Sequence, residues 1–136
     1  MANPLRLRGV HHLARVTKHL EASRSFYREL LGFEEIPRPR FSFDGAWLYA
    51  YGVQIHLIVN LQCPDAQGPI DTRGNHLALE TEDVETVEAE LKRREVTYQL
   101  NVQASTGLKQ LFFRDPDGHQ IEIAQYGPTR LTGSWD

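Results

Sequence analysis

Residues that can bind a metal ion occur at matched positions of an internal repeat. The tripeptide His-Leu-Ala at residues 12–14 recurs at residues 76–78, and the Gly-initiated segment at residues 52–57 recurs at residues 118–123. These segments match His12 with His76, and His56 with Glu122, and all four residues can bind a metal ion. Imidazole nitrogens and carboxylate oxygens are common ligands of divalent metal ions. We therefore expect these four residues to bind one metal ion.

The neighbours of these residues support a metal role over a purely structural one. His56 lies between Ile55 and Leu57, and Glu122 lies between two isoleucines. Alternate residues of a strand point to the same face, and an unpaired polar group buried there would be destabilising. A bound ion would satisfy all of the polar groups at once. The other histidines, His11, His19 and His119, are assigned structural or solvent-facing positions. His11 is expected on the opposite side of the strand from His12.

Each half of the chain is predicted to form a βαβββ unit. In the first half we expect strands near residues 9–16, 33–37, 46–51 and 53–60, with a helix at 20–31; in the second we expect strands near 75–81, 97–101, 108–114 and 119–126, with a helix at 84–94. A turn is predicted at Asp115–Gly118 and a linker at Gln62–Gly74. The fold class is therefore α+β, with two βαβββ repeats, at about 8–61 and 74–126, whose mixed sheets curl around a shared metal-containing cavity within a single domain of residues 1–136.

Composition excludes several classes of function. The chain has 136 residues, a net charge of -3 and 24% charged residues, values typical of a globular protein that does not bind nucleic acid. Its one cysteine, Cys63, cannot form an intrachain disulfide, which favours a reducing compartment. No apolar run has the length of a signal peptide or a membrane span. We expect a cytoplasmic protein without membrane contact.

The motifs resemble those of the vicinal oxygen chelate superfamily, which includes glyoxalase I, extradiol dioxygenases and bleomycin resistance proteins. The resemblance covers residues 8–126 and depends on the Gly-Val-His-His-Leu, Gly-Asn-His-Leu-Ala and Phe-Phe-Arg-Asp-Pro-Asp-Gly-His-Gln-Ile-Glu motifs at residues 9–13, 74–78 and 112–122. It implies the glyoxalase/bleomycin resistance/dioxygenase fold and metal ligation by His12, His76 and Glu122. In glyoxalase I the fourth ligand is a glutamate, where this chain has His56.

The resemblance implies a glyoxalase I-like lyase or isomerase, of the lactoylglutathione lyase type. It would convert a small oxygenated substrate or its thiol adduct through a metal-stabilised enediolate. Glu122 would be the catalytic base, and His56 would be a ligand or the opposite acid/base. Asn60 matches an asparagine that contacts glutathione in glyoxalase I, so the substrate could be a glutathione adduct, although Val16 replaces the glutathione-binding arginine of the first strand. The cofactor would be one divalent ion per site, Zn, Ni, Fe or Mn.

Two further activities fit the same resemblance. His12, His76 and Glu122 also satisfy the two-histidine, one-carboxylate triad of an Fe(II) extradiol-type dioxygenase. A thiol transferase of the fosfomycin type is disfavoured because Ala14 replaces a threonine of those enzymes. From a different class, a non-catalytic binding protein could hold an antibiotic or another small molecule against Trp47, Tyr49 and Phe113. Retention of all four ligand positions favours an enzyme. Relatives commonly dimerise, so we expect a homodimer.

Overall fold

The computed structural model describes residues 2–65 and 68–133, which form two compact units. Each unit contains one four-stranded mixed sheet and one helical segment. This architecture confirms the predicted α+β class and the βαβββ order of each half. The first unit ends and the second begins inside the predicted linker. A shared metal-containing cavity and a single domain of residues 1–136 stay predictions.

The first unit follows the order β1 (His12–Thr17), α1 (Leu20–Ser25), β2 (Glu34–Ile36), β3 (Gly45–Ala50) and β4 (Val53–Val59). A π-helical segment, Phe26–Leu30, continues directly from α1. The strands are arranged β1-β4-β3-β2. β1 runs parallel to β4, and the other neighbouring pairs are antiparallel.

The second unit follows the same plan, with β5 (His76–Glu80), α2 (Val84–Arg93), β6 (Gln99–Val102), β7 (Lys109–Arg114) and β8 (Gln120–Ala124). Its sheet has the order β5-β8-β7-β6, with β5 parallel to β8. The sequence repeat is therefore also a repeat of topology. In the described part of the chain, no helix has the length and hydropathy that a membrane span requires.

Strand alternation separates an apolar face from a polar face in both sheets. In the first unit, Ile55 and Leu57 are buried beside Leu48 and Ala46 of the neighbouring strand. In the second unit, Leu111, Phe113 and Ile121 form the corresponding buried set. The helix of each unit contacts the two central strands of its own sheet. Burial of these side chains against the helix supplies the hydrophobic stabilisation of each unit.

The opposite face of each sheet carries the predicted site residues in the same register. In the first unit, His12 pairs with Gln54 and Ala14 pairs with His56. In the second, the equivalent pairs are His76 with Gln120 and Ala78 with Glu122. Residues paired across two strands point to the same side of the sheet. His56 and Glu122 therefore occupy equivalent places in the two units.

The predicted bounds differ from the structure where a partner strand or a helical hydrogen-bond pattern is missing. β1 begins at His12 rather than at residue 9, because its partner β4 begins only at Val53 and offers nothing for residues 9 and 10 to pair with. The first helix changes from α to π at Phe26, where the Leu31 N–H donates to the Phe26 carbonyl. An apolar pattern does not distinguish these two bonding patterns.

The two ends of α2 are stabilised by local hydrogen bonds. At the start, the Asp83 carboxylate accepts hydrogen bonds from the backbone N–H groups of Glu85 and Thr86 and from the Thr86 hydroxyl. At the end, the Val96 N–H donates to Leu91, the Glu95 N–H donates to Lys92, and Glu95 adopts a left-handed φ of 57°. This Schellman motif is usually completed by glycine. In the first unit Gly32, with a φ of 80°, holds the equivalent position.

Replacing Glu95 with glycine should stabilise the protein. A non-glycine residue in the left-handed region is disfavoured by about 1 kcal/mol, so Glu95→Gly should raise the free energy of unfolding by up to about that amount. Gly32→Ala should have the opposite effect, since its Cβ would also meet the Tyr51 hydroxyl at 2.7 Å. Urea unfolding at neutral pH measures both changes, and a less stable Glu95→Gly variant would contradict the assignment.

The cap at Asp83 should make the stability of the second unit depend on pH. Hydrogen bonds from the hydroxyl and then the amide of Thr86 lower the pKa of the Asp83 carboxyl. A carboxyl with a lowered folded-state pKa stabilises the fold above its unfolded-state pKa, and this contribution is lost as pH falls through the folded-state pKa. Asp83→Ala should therefore reduce the melting temperature by a few degrees at neutral pH and by less in acid.

Asp83→Asn serves as the control, because asparagine caps a helix without titrating. The difference in melting temperature between the asparagine and alanine variants should persist when the pH is lowered. A pH-independent difference between wild type and Asp83→Ala would show that ionisation of Asp83 does not contribute.

Candidate metal-binding site

In the first unit, the structure brings His12 and His56 into direct contact. Their rings are stacked, with centroids 3.8 Å apart and an interplanar angle of 10°. His12 is exposed, whereas His56 is only 6% exposed. The parallel pairing of β1 with β4 produces this contact, because it places the two residues on the same face of the sheet. Two of the four predicted ligands therefore lie side by side.

His11 is part of the same cluster, and its assignment to the opposite side of the strand is wrong. His11 Nδ1 lies 2.8 Å from His12 Nδ1, so the two rings share one proton between these nitrogens. A ligand nitrogen from each of His11, His12 and His56 lies within 4.8 Å of the others. The alternation of a strand does not apply to His11, because β1 begins only at His12. The adjacent His-His pair was the sequence signal that could have identified it.

The His56 ring is held between two aromatic rings and an amide. Trp47 stacks on its other face, with centroids 4.1 Å apart and an interplanar angle of 6°. His56 Nε2 lies 2.8 Å from Gln54 Oε1, which can only accept, so Nε2 carries the proton and Nδ1 carries the lone pair. Burial, followed by the charges of His12, His11 and Arg38, lowers the pKa of His56 to about 4. At neutral pH the ring is uncharged and able to bind a metal ion.

In the second unit, His76 faces Glu122 across a short gap. His76 Nδ1 lies 2.8 Å from the Gly74 carbonyl oxygen, so Nδ1–H donates and Nε2 carries the lone pair. That Nε2 is 3.9 Å from Glu122 Oε1. A backbone carbonyl that holds the other ring nitrogen is a common feature of metal-binding histidines. The described residues therefore orient two electron-pair donors toward the same space.

The loop that carries the Gly74 carbonyl is fixed by Gln120, a buried neighbour on β8. Its amide oxygen accepts from the Asp71 N–H at 2.7 Å, and its amide nitrogen donates to the carbonyls of Asp71 and Asn75 at 2.9 and 3.2 Å. Gln120 is also the residue that pairs with His76 in the sheet. One side chain thus links the strand register to the loop that orients His76.

The Glu122 carboxylate is 2% exposed and accepts a hydrogen bond at each oxygen. Gln110 Nε2 donates to Oε1 at 2.9 Å, and the Tyr126 hydroxyl donates to Oε2 at 2.8 Å. Burial, together with the negative charge of Glu122, raises the pKa of Tyr126, so this hydroxyl keeps its proton. Neither Gln110 nor Tyr126 has a role that is predicted from the sequence.

The geometry of the His76–Glu122 pair fits a first-row divalent ion. Metal–nitrogen and metal–oxygen bonds are each about 2.0–2.2 Å long, so two ligands of one ion lie at most about 4 Å apart. The His76–Glu122 distance of 3.9 Å is within this reach. The His12–His56 and His76–Glu122 pairs each form within a single unit. Binding of one ion by all four residues stays a prediction.

Comparison with known proteins gives consistent matches over both repeats. A family model described as Glyoxalase/Bleomycin resistance protein/Dioxygenase superfamily matches residues 9–123. Glyoxylase I 4 of Arabidopsis thaliana is 34% identical over 129 residues, which cover 89% of this chain and 72% of that protein. The solved structure of a glyoxalase family protein from Enterococcus faecalis has a TM-score of 0.72 and 28% identity, covering 87% of this chain and 98% of that one.

A further similar protein is named for a different activity, that of a dioxygenase. A manganese-dependent 2,3-dihydroxybiphenyl 1,2-dioxygenase of Geobacillus genomosp. 3 is 33% identical over 117 residues. These cover 82% of this chain and 35% of the dioxygenase. The chain therefore spans about a third of that protein.

Proposed function

Because the chain belongs to the Glyoxalase/Bleomycin resistance protein/Dioxygenase superfamily, we propose that it is a metal-dependent, glyoxalase I-like lyase or isomerase. The observation that carries this proposal is the His76–Glu122 pair. A neutral imidazole nitrogen and a buried carboxylate oxygen face each other at 3.9 Å, and both are oriented by hydrogen bonds to their other atoms. Such a pair can bind a divalent ion and place a base beside it.

The proposed ligands are His12, His56, His76 and Glu122. A bound divalent ion would polarise two neighbouring oxygens of the substrate and so acidify the adjacent C–H bond. Three imidazoles and one carboxylate suit Zn, Ni, Fe or Mn, and ligand type does not select among these metals. The stacked rings of His12 and His56 limit their rotation.

Glu122 is the proposed general base. In the glyoxalase I-type reaction, it would take the proton from the carbon that bears sulfur in the adduct of a 2-oxoaldehyde and a thiol. Return of that proton to the adjacent carbon gives a 2-hydroxyacyl thioester. The reaction is an isomerisation, so it consumes no oxidant or reductant. His56, through Nδ1, would be a ligand or the opposite acid/base.

The named relatives support two activities to different extents. The match to Glyoxylase I 4 covers 72% of that protein and favours the lyase, with a small oxygenated molecule or its glutathione adduct as substrate. The match to the manganese-dependent dioxygenase favours an extradiol-type dioxygenase as the alternative. Such an enzyme would hold its metal ion with the same two-histidine, one-carboxylate set and would consume O₂. The proposal also includes a cytoplasmic location and a homodimer. Size exclusion with light scattering tests the dimer.

Removing the proposed ligands should abolish metal binding without unfolding the protein. Apo protein titrated with Mn(II) or Ni(II) in a calorimeter should bind the ion, whereas His76→Ala and the His12→Ala/His76→Ala double variant should bind at least about tenfold more weakly. His19→Ala is the matched control, since His19 lies at the start of α1, and it should bind as wild type does. Equal affinity in all variants, with circular dichroism unchanged, would refute the metal site.

Substitution of the base should separate catalysis from metal binding. With methylglyoxal and glutathione, the metal-loaded protein should form the thioester, and Glu122→Gln should lower kcat by about 100-fold or more. Metal analysis of the Glu122→Gln variant is the control for loss of the ion. Metal binding without thioester formation, accompanied by O₂ uptake with 2,3-dihydroxybiphenyl, would favour the dioxygenase. No turnover and no metal would leave the binding-protein alternative.

A further inference from the structure

Two side chains of the second unit donate hydrogen bonds to the two oxygens of Glu122. We propose that Gln110 and Tyr126 are positioning residues, which hold the Glu122 carboxylate in the orientation that faces His76 Nε2. Gln110 lies on β7 and Tyr126 lies two residues beyond the end of β8. The inference deepens the proposed function, because it assigns the groups that prepare its metal-ligating base. Of the two tests given below, only the affinity test requires the metal.

The direction of each hydrogen bond in this network is fixed by Gln110. Its amide oxygen accepts from Asn101 Nδ2 at 2.7 Å and from Gln103 Nε2 at 2.9 Å. Its amide nitrogen donates to Glu122 Oε1 and to the Tyr126 hydroxyl oxygen, each at 2.9 Å. Both donors and both lone pairs of the amide are thereby used. A flipped amide would place nitrogen against nitrogen and oxygen against carboxylate, so Gln110 has one stable orientation.

The orientation of Gln110 also directs the proton of Tyr126. The hydroxyl oxygen accepts from Gln110, so its single proton is donated to Glu122 Oε2 at 2.8 Å. The backbone at this position is held as well: the N–H groups of Tyr126 and Gly127 donate to the Glu80 carboxylate at 2.8 and 2.7 Å. Tyr126 is therefore anchored at its main chain and at its hydroxyl.

Two donors on opposite oxygens restrict the plane of the carboxylate. Rotation of Glu122 away from His76 would break the bond from Gln110, the bond from Tyr126, or both. Hydrogen bonds to a charged group are stronger than those between neutral groups, and an unsatisfied buried donor adds a further penalty. Loss of either donor should thus let the carboxylate occupy several orientations and weaken its contribution to a metal site.

The network reaches a cavity of about 620 Å³ that Tyr126 and Gln103 both line. Its lining residues belong to the segment 103–108 and to residues 125 and 126. Volumes of this size are typical of small-molecule sites. Tyr126 therefore connects the carboxylate to the wall of a space that can hold a small molecule.

Mn(II) affinity of the apo protein tests the positioning role. Tyr126→Phe and Gln110→Leu should each weaken Mn(II) binding by about tenfold or more, as loss of groups that orient a metal ligand typically does. Tyr98→Phe is the matched control, because the Tyr98 hydroxyl donates to the Glu88 carboxylate at 2.7 Å in the same unit. It removes the same type of bond and should leave affinity unchanged. Wild-type affinity in both Tyr126→Phe and Gln110→Leu would overturn the proposal.

A second measurement needs no metal. Tyr126→Phe should lower the melting temperature of the wild-type protein. This loss should be smaller in a Glu122→Ala background, where the hydroxyl has lost its acceptor but still accepts from Gln110. If wild-type protein binds no Mn(II), the proposed function fails, and this comparison alone decides the inference. Equal losses in the two backgrounds would overturn it, and a smaller loss in the Glu122→Ala background would support it.

Discussion

The parallel pairing of the first and last strands of each unit determines which side chains meet. In the first unit it sets Ala14 opposite His56, and in the second it sets Ala78 opposite Glu122. The residue opposite the longer side chain is a small alanine in both units. Because side chains alternate along a strand, a shift of one residue would move His56 or Glu122 to the apolar face that packs against the helix. Burial of apolar residues such as Ile55 and Ile121 therefore fixes the site as well as the core.

The two units use the same register but hold their site residues differently. In the second unit, His76 donates a hydrogen bond to a backbone carbonyl, and Glu122 accepts hydrogen bonds from an amide and a phenol. In the first unit, the His56 ring is oriented mainly by stacking between His12 and Trp47. Hydrogen bonds specify direction at single atoms, whereas stacked rings specify a plane. A duplicated scaffold thus carries a carboxylate oriented by hydrogen bonds in one unit and an imidazole oriented by stacking in the other.

The βαβββ order of each half could be predicted from the sequence, because both repeats carry strong local signals. The strand patterns, the Asp115–Gly118 turn and the start of α2 are short-range features, and the structure contains all of them. The contacts of Gln110 and Tyr126 with Glu122 could not be predicted in this way, since they depend on side-chain orientations across strands and beyond a strand end. The His11 assignment was wrong for a related reason: the alternation rule was applied to a residue that precedes the first hydrogen-bonded pair of β1.

The limited rotation of the His56 ring distinguishes the lyase from the dioxygenase better than the types of ligand do. A dioxygenase needs coordination positions left open for O₂ and substrate, while a proton-transfer enzyme can use a fourth protein group near the ion. His56 is 6% exposed, is stacked on both faces, and has Nε2 bound to Gln54, so only Nδ1 is available and the ring has little room to turn away. If His56 is a ligand of the proposed ion, a ring fixed in this way would stay at the ion throughout the reaction. This restraint favours the lyase, in which a fourth residue has a role, over chemistry that would require it to leave.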